Sequence, residues 1–212
     1  MAVTTTSLLV KDGNNVSQSL ATLTDPAGVM RYALTVDGVG EAVYRASANF
    51  TPQPTAAVTL ITIQGSATKT VRIRRILVGG VSTANAQSIF ALQRTSALGA
   101  GGTAVLPSPA KSDSGTVAAA TAVVTHYTAT LKAAGTAVGG PLTTLQNFTN
   151  VATTPTISPT LTLAFPELGG VASQALVLRG TADFIEIQNV TPVNLSAGTV
   201  LFYNIEWAED GS

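Results

Sequence analysis

The sequence predicts an all-β protein, an antiparallel β-sandwich that is jelly-roll-like and is preceded by an extended N-terminal arm. Three observations predict it. β-Branched Val, Ile and Thr alternate with small or polar residues, and Gly or Pro interrupts before an amphipathic helical window can build. Only 10% of the 212 residues are charged while 45% are hydrophobic, against roughly 25% charged in an average soluble domain. The length suits one large β domain plus an appendage, because all-β domains routinely exceed 200 residues as a single unit.

Eight segments read as strands: 56–64 (AAVTLITIQ), 69–78 (KTVRIRRILV), 88–94 (SIFALQR), 121–131 (TAVVTHYTATL), 160–165 (TLTLAF), 175–180 (ALVLRG), 184–190 (FIEIQNV) and 200–207 (VLFYNIEW). Each is short, rich in β-formers and bounded by turn residues. The connector Gly65-Ser66-Ala67-Thr68 has hairpin length, with Gly65 supplying a positive φ. The segment from Thr191 to Thr199 is too long for a tight turn. Eight strands joined by loops of mixed length fit the jelly roll, which keeps its sheet edges short.

Residues 1–50 differ from the body at 51–212. They carry turn signals at Asp12-Gly13, Asp25-Pro26-Ala27-Gly28 and Asp37-Gly38, with brief apolar runs such as Ser7-Leu8-Leu9-Val10. Such a segment is expected to form short strands that gain burial from a partner, through the side chains Leu8, Val10 and Lys11, or to cap its own domain's edge. Thr51-Pro52-Gln53-Pro54 marks the expected boundary, because a proline favours extended backbone before it.

Composition excludes several classes of function. Without cysteine there is no thiolate nucleophile, cysteine zinc site or disulfide framework. Eleven basic and eleven acidic residues cancel, so no global field recruits nucleic acid or anionic lipid. No run reaches the roughly 18 apolar residues of a membrane helix, and MAVTTTSLLVKDG does not read as a secretion signal.

A search for catalytic chemistry finds little. His126 is the single histidine, so a serine triad or a multi-histidine metal site hangs on one residue. In VVTHYTA, alternation places Val124, His126 and Thr128 on one face, and the simple expectation is a solvent-facing or hydrogen-bonded side chain. Glu186 and Glu206 interrupt apolar residues in segments that would pair a carboxylate across a sheet, as in glycosidases, if the strands were neighbours. The outward face of a half-solvated strand explains both more simply. The Asp-Gly turns lack the further acidic positions of a calcium loop. The glycine-rich 98–103 (LGAGGT) is followed by neither lysine nor helix, which reads as a flexible surface loop within a long excursion over 95–117. Asn-x-Ser/Thr triplets begin at Asn15, Asn49, Asn147, Asn189 and Asn194 and carry little weight in so threonine-rich a chain. No catalytic residue, cofactor or metal is expected.

The sharpest charge feature is KTVRIRRILV. Arg72 and Arg74 alternate with Val71 and Ile73, and then Arg75 breaks the alternation, which predicts a bulge or an edge. Arg72, Arg74 and Arg75 are candidate interface residues for carboxylates of an adjacent subunit, or else a solvated face that discourages edge-to-edge association.

The runs TPQPTAAVTLITIQGSATKTVRIRRILVGGVST, SIFALQRTSALGAGGT, KSDSGTVAAATAVVTHYTA, LVLRGTADFIEIQN and GTVLFYNIEW together resemble small virion proteins encoded in the structural gene clusters of tailed bacteriophages. The resemblance spans about residues 50–208, and VKDGNN is similar to the arm that often precedes such bodies. It implies a particle-bound, non-enzymatic protein, assembled in the bacterial host cytoplasm. The expected role is a capsid decoration or cement protein forming a homo-oligomer, a trimer, against the major capsid protein or another virion protein, without nucleic acid or membrane. A neck, tail or baseplate component is the alternative within that class. A carbohydrate-binding module is the alternative outside it, and it would need exposed aromatic platforms in a chain only 5% aromatic.

Overall fold

The computed structural model describes residues 6–11, 17–24, 30–31, 42–52, 58–81, 87–112, 118–149, 161–164, 176–190 and 199–211. The chain divides into two compact units, Met1–Gly40 and Glu41–Ser212. No helix occurs among the described residues.

The first unit contains β1 (Thr6–Lys11), β2 (Ser17–Thr24) and β3 (Met30–Arg31), an antiparallel sheet in that order. Leu8 pairs with Leu20 and Val10 with Gln18. The short strands expected of the arm are thus paired with one another. Its Asp-Gly turns lie outside the described residues.

The second unit is a β-sandwich of two antiparallel sheets. Its strands are β4 (Ala42–Phe50), β5 (Val58–Gln64), β6 (Lys69–Val81), β7 (Gln87–Ala97), β8 (Gly101–Val105), β9 (Ala110–Lys111), β10 (Val123–Lys132), β11 (Thr136–Ala137), β12 (Thr143–Thr149), β13 (Leu161–Ala164), β14 (Leu176–Arg179), β15 (Phe184–Asn189) and β16 (Val200–Gly211). The seven-stranded sheet runs β11-β7-β15-β5-β10-β8, with β12 also on β7. The six-stranded sheet runs β13-β6-β16-β4-β9, with β14 also on β6.

The underlying order is that of a jelly roll. β13 and β14 lie end to end along β6, at Val78 to Arg75 and at Ile73 to Thr70, and so fill one lane. β11 and β12 likewise share one lane beside β7. Counting lanes along the chain gives β4, β5, β6, β7, β11/β12, β13/β14, β15 and β16, paired as first-last-third-sixth in one sheet and second-seventh-fourth-fifth in the other. The segment β8 to β10 is an insertion between the fourth and fifth lanes. It widens both sheets on the same flank, with β10 and β8 beyond β5 and β9 beyond β4.

The core follows from alternation. β4 turns Tyr44, Ala46 and Phe50 inward, β16 turns Leu201, Tyr203, Ile205 and Trp207, and the opposing sheet supplies Ile61, Ile63, Leu92, Val124, Ile185 and Ile187. Each large side chain withdrawn from water contributes about 1.5–3 kcal/mol. Tyr44 stacks on Trp207 with ring centroids 5.8 Å apart.

All eight sequence-derived strands exist, but several expectations about them are corrected. The expected boundary at residue 50 moves to Gly40/Glu41, because Ala42–Phe50 pairs along its whole length with β16. Gly65–Thr68 is not a hairpin: β5 and β6 belong to different sheets, so this connector crosses the sandwich. Gly65 is there for closeness, since a Cβ would stand 2.5 Å from the Gly180 carbonyl oxygen. The 95–117 excursion is ordered over its described part, where β8 pairs with β10 and β9 with β4. Gly101 and Gly102 open β8 with φ of 79° and 83°, a backbone that side chains strain to adopt.

Candidate functional site

β15 is central in its sheet, flanked by β5 and β7, and every one of its residues is buried. The expectation that Glu186 lies on a half-solvated face is therefore wrong, although its face is the outer one, opposite Ile185 and Ile187. The cover comes from the chain's own segment running from Ala133 into β11 and on to Leu142. Glu186 Oε2 accepts hydrogen bonds from Thr59 Oγ1 at 2.8 Å, Gln188 Nε2 at 2.6 Å and the Gly135 amide at 3.1 Å. Gln93 Nε2 donates to the carbonyls of Gly139 and Gly140 at 3.3 and 3.5 Å. The Val138 and Leu142 amides bond the carbonyls of Arg94 and Leu92.

The same buried polar layer continues onto β10. Tyr127 Oη lies 3.1 Å from Thr62 Oγ1, and burial, with the nearby Glu186 adding to it against the Thr62 bond, pushes its phenol pKa up. Lys132 places Nζ 5.0 Å from the centre of the Tyr127 ring and donates to the Gly99 carbonyl. The charged end of Lys132 thus ties the insertion to the loop before it. Its sequence signal was weak, as one lysine at a strand end looks like any solvated terminus.

Glu209 is a second fully buried carboxylate. It accepts from the Thr121 amide at 2.9 and 3.0 Å, Thr121 Oγ1 at 2.7 Å, the Ala122 amide at 2.8 Å and Trp207 Nε1 at 3.0 Å. This side chain on β16 anchors the start of β10 and so couples the two sheets. Sequence reading passed over it, yet the alternation of Ile205 and Trp207 already points Glu209 inward.

His126 shares its face with Val124, as alternation required, and that face is the core. The hydrogen-bonded half of the expectation holds and the solvent-facing half does not: Nδ1 lies 3.0 Å from Tyr203 Oη, and the Phe50 ring centroid is 4.7 Å away. Burial pushes the imidazole pKa below its ordinary 6.5 and pushes the Tyr203 phenol up.

Glu186, Glu206 and His126 do not converge. Glu186 is on the outer face of one sheet, Glu206 on the outer face of the other, and His126 lies between the sheets. Glu206 is held in a cross-strand row, with Arg45 Nε at 2.8 Å and Arg75 Nη2 at 3.4 Å from Oε2. The paired arginines mark a bulge, as predicted. Arg75 pairs with Glu206 and Ile73 with Trp207, leaving Arg74 as the extra residue. β6 is interior in its sheet, so the edge alternative is excluded. Arg72, Arg74 and Arg75 are all partly buried, and Arg75 already has a carboxylate within its own chain. Leu8, Val10 and Lys11 lie together on β1.

One ion pair closes an end of the sandwich. Arg94 Nη1 donates to both oxygens of Asp183 at 2.6 and 2.7 Å, while Nη2 reaches across to the Val177 carbonyl at 2.9 Å. One nitrogen holds the carboxylate while the other reaches a carbonyl of the opposite sheet, a split that suits the several donors of a planar guanidinium.

Among the described residues, the buried ionisable groups hold backbone and join strands and sheets of a jelly-roll sandwich. No group of three His, Asp or Glu there could hold a metal ion, and no helix there is long and apolar enough to cross a membrane. Compared with protein-family models, curated proteins and solved structures, the chain matches none.

Proposed function

We propose that this chain is a non-enzymatic structural protein of a tailed-phage particle, a homo-oligomeric capsid decoration or cement protein. The observation that carries the reading is the inserted flank. Its first ten residues, Gly101–Ala110, carry no charge, and Val105 and Leu106 among them are 41% and 61% exposed. Assembly interfaces are depleted in charge at their centres, and a neutral exposed flank on a rigid sandwich suits permanent contact. The resemblance of residues 50–208 to small virion proteins supplies the particle. Buried carboxylates committed to backbone amides fit a body built for rigidity. The carbohydrate-binding alternative finds less support, because Tyr44, Tyr127, Tyr203 and Trp207 are all buried and cannot serve as sugar platforms.

Immunogold electron microscopy of particles purified from the source phage, with antibody against the recombinant chain, tests the reading. Label over the head is expected. Label on the neck, tail or baseplate moves the protein within the same class, and unlabelled particles that also lack the chain by mass spectrometry overturn the proposal.

A further inference from the structure

The segment Ala133–Leu142 runs from the end of β10 through β11 to the start of β12 and lies over the outer face of β15, where the Gly135 amide meets Glu186. Every residue of it except Gly135 is exposed. Its two large apolar side chains, Val138 and Leu142, are 50% and 47% exposed and so contribute little apolar burial. Hydrogen bonds hold it instead. The Gly135, Val138 and Leu142 amides donate to Glu186 Oε2, the Arg94 carbonyl and the Leu92 carbonyl at 3.1, 2.8 and 2.8 Å, and the Ala133 carbonyl accepts from Thr59 Oγ1 at 3.2 Å.

The face beneath is polar. Thr62 and Gln93 flank Glu186 in register on β5 and β7, and all three are buried, as are Thr59, Thr95 and Gln188. Closure there is imperfect. Glu186 Oε1 and Thr95 Oγ1 are buried without a hydrogen-bond partner, whereas both oxygens of Glu209 are supplied with donors. A charged oxygen sealed from water without a donor is costly, and that cost is relieved once water reaches it.

We propose that Ala133–Leu142 is a lid, which lifts as one unit while both sheets stay folded and bares the Glu186 carboxylate to solvent. Nothing in this depends on the particle reading.

The ends of the segment are pinned. At one end Lys132 donates to the Gly99 carbonyl and the Ala133 amide to that of Ala100, and at the other Thr143 and Thr144 pair with Leu92 and Ala91. Its middle turns freely, because Gly139 has a φ of 77° and a Cβ at Gly139 or Gly140 would meet nothing within 4 Å. Its ladder to β7 is a two-residue strand whose register shifts between Thr136 and Ala137. Lifting exchanges a handful of hydrogen bonds for bonds to water, each a small net loss. It also hydrates Oε1 and frees the backbone of the lifted residues. Such a segment opens far more often than the sandwich unfolds.

Residue-resolved hydrogen exchange of the full chain, followed by NMR at neutral pH in low concentrations of urea, tests the lid. The Gly135, Val138 and Leu142 amides are expected to share one protection, about a hundredfold or more below that of Ile185 and Ile187 in β15. Their exchange is expected to depend weakly on urea, because lifting exposes little surface. Protection and urea dependence equal to those of β15 overturn the proposal, since the segment would then open only with the sandwich. Three unrelated protections overturn it as well, since the segment would then fray piecemeal. Modification with a water-soluble carbodiimide and glycine amide, mapped by mass spectrometry, reads the consequence. Glu186 and Glu209 are equally buried in the closed form, and Glu186 is expected to react about tenfold faster or more. Equal initial rates at the two carboxylates overturn the proposal.

Discussion

His126 on β10 and Tyr203 on β16 meet between the two sheets, with Nδ1 and Oη 3.0 Å apart. Each is the other's polar partner inside an apolar core, and Phe50 lies against both rings. Because burial lowers the folded imidazole pKa, the unfolded chain takes up a proton near pH 6.5 that the folded chain resists. Stability is therefore full above about 6.5 and falls as pH drops through that value toward the folded pKa. Urea midpoints are expected to decline between pH 7 and pH 5 in the wild type, with a slope of at most about 1.4 kcal/mol per pH unit for one proton. His126→Gln is expected to flatten this part of the profile, and equal slopes in the two proteins would remove His126 as its source.

Glu209 satisfies donors from Thr121, Ala122 and Trp207. Glu209→Ala leaves the Ala122 amide and Trp207 Nε1 buried without an acceptor, at about 1–3 kcal/mol per orphaned group. Urea unfolding is expected to show a loss of several kcal/mol, while Glu206→Ala, on a solvent-facing row, loses less than about 1 kcal/mol. Similar losses from both would contradict the distinction.

Gly135 sits where a Cβ would stand 2.2 Å from the Ala97 carbonyl oxygen and 2.4 Å from Glu186 Oε1. Backbone and a fixed carboxylate cannot both yield, so Gly135→Ala is expected to displace the covering segment and cost about 1–3 kcal/mol. Gly140→Ala, with nothing within 4 Å, serves as the control. Limited proteolysis near residues 133–142 is expected to speed up only in the first variant.

Removing residues 1–40 leaves both sheets of the sandwich intact, whereas removing 1–50 strips β4 from between β16 and β9. The 41–212 chain is expected to keep a cooperative melt, and the 51–212 chain to lose it, because Tyr44, Ala46 and Phe50 leave the core. Circular dichroism melts of the two truncations check this, and a folded 51–212 chain would place β4 outside the essential core.

Sequence alone determined the class and the main strands, since period-two alternation is a local signal that survives without knowledge of neighbours. It grouped Val124 with His126 on one face of β10 without saying that this face is the core, and it left a bulge or an edge at the two successive arginines that break the period, which the structure resolves as a bulge at Arg74. It missed β4 and β12, whose AVYRASANF and TTLQNFT are built from alanine, serine and threonine and carry little apolar contrast. It counted 160–165 and 175–180 as separate lanes, although both lie along β6. What only the tertiary structure decided was which faces are covered. Alternation tells that Glu186 points away from Ile185, but not that the segment after β10 folds back over it. Burial on that face depends on contacts between residues some 50 positions apart, and no local pattern in the chain encodes them.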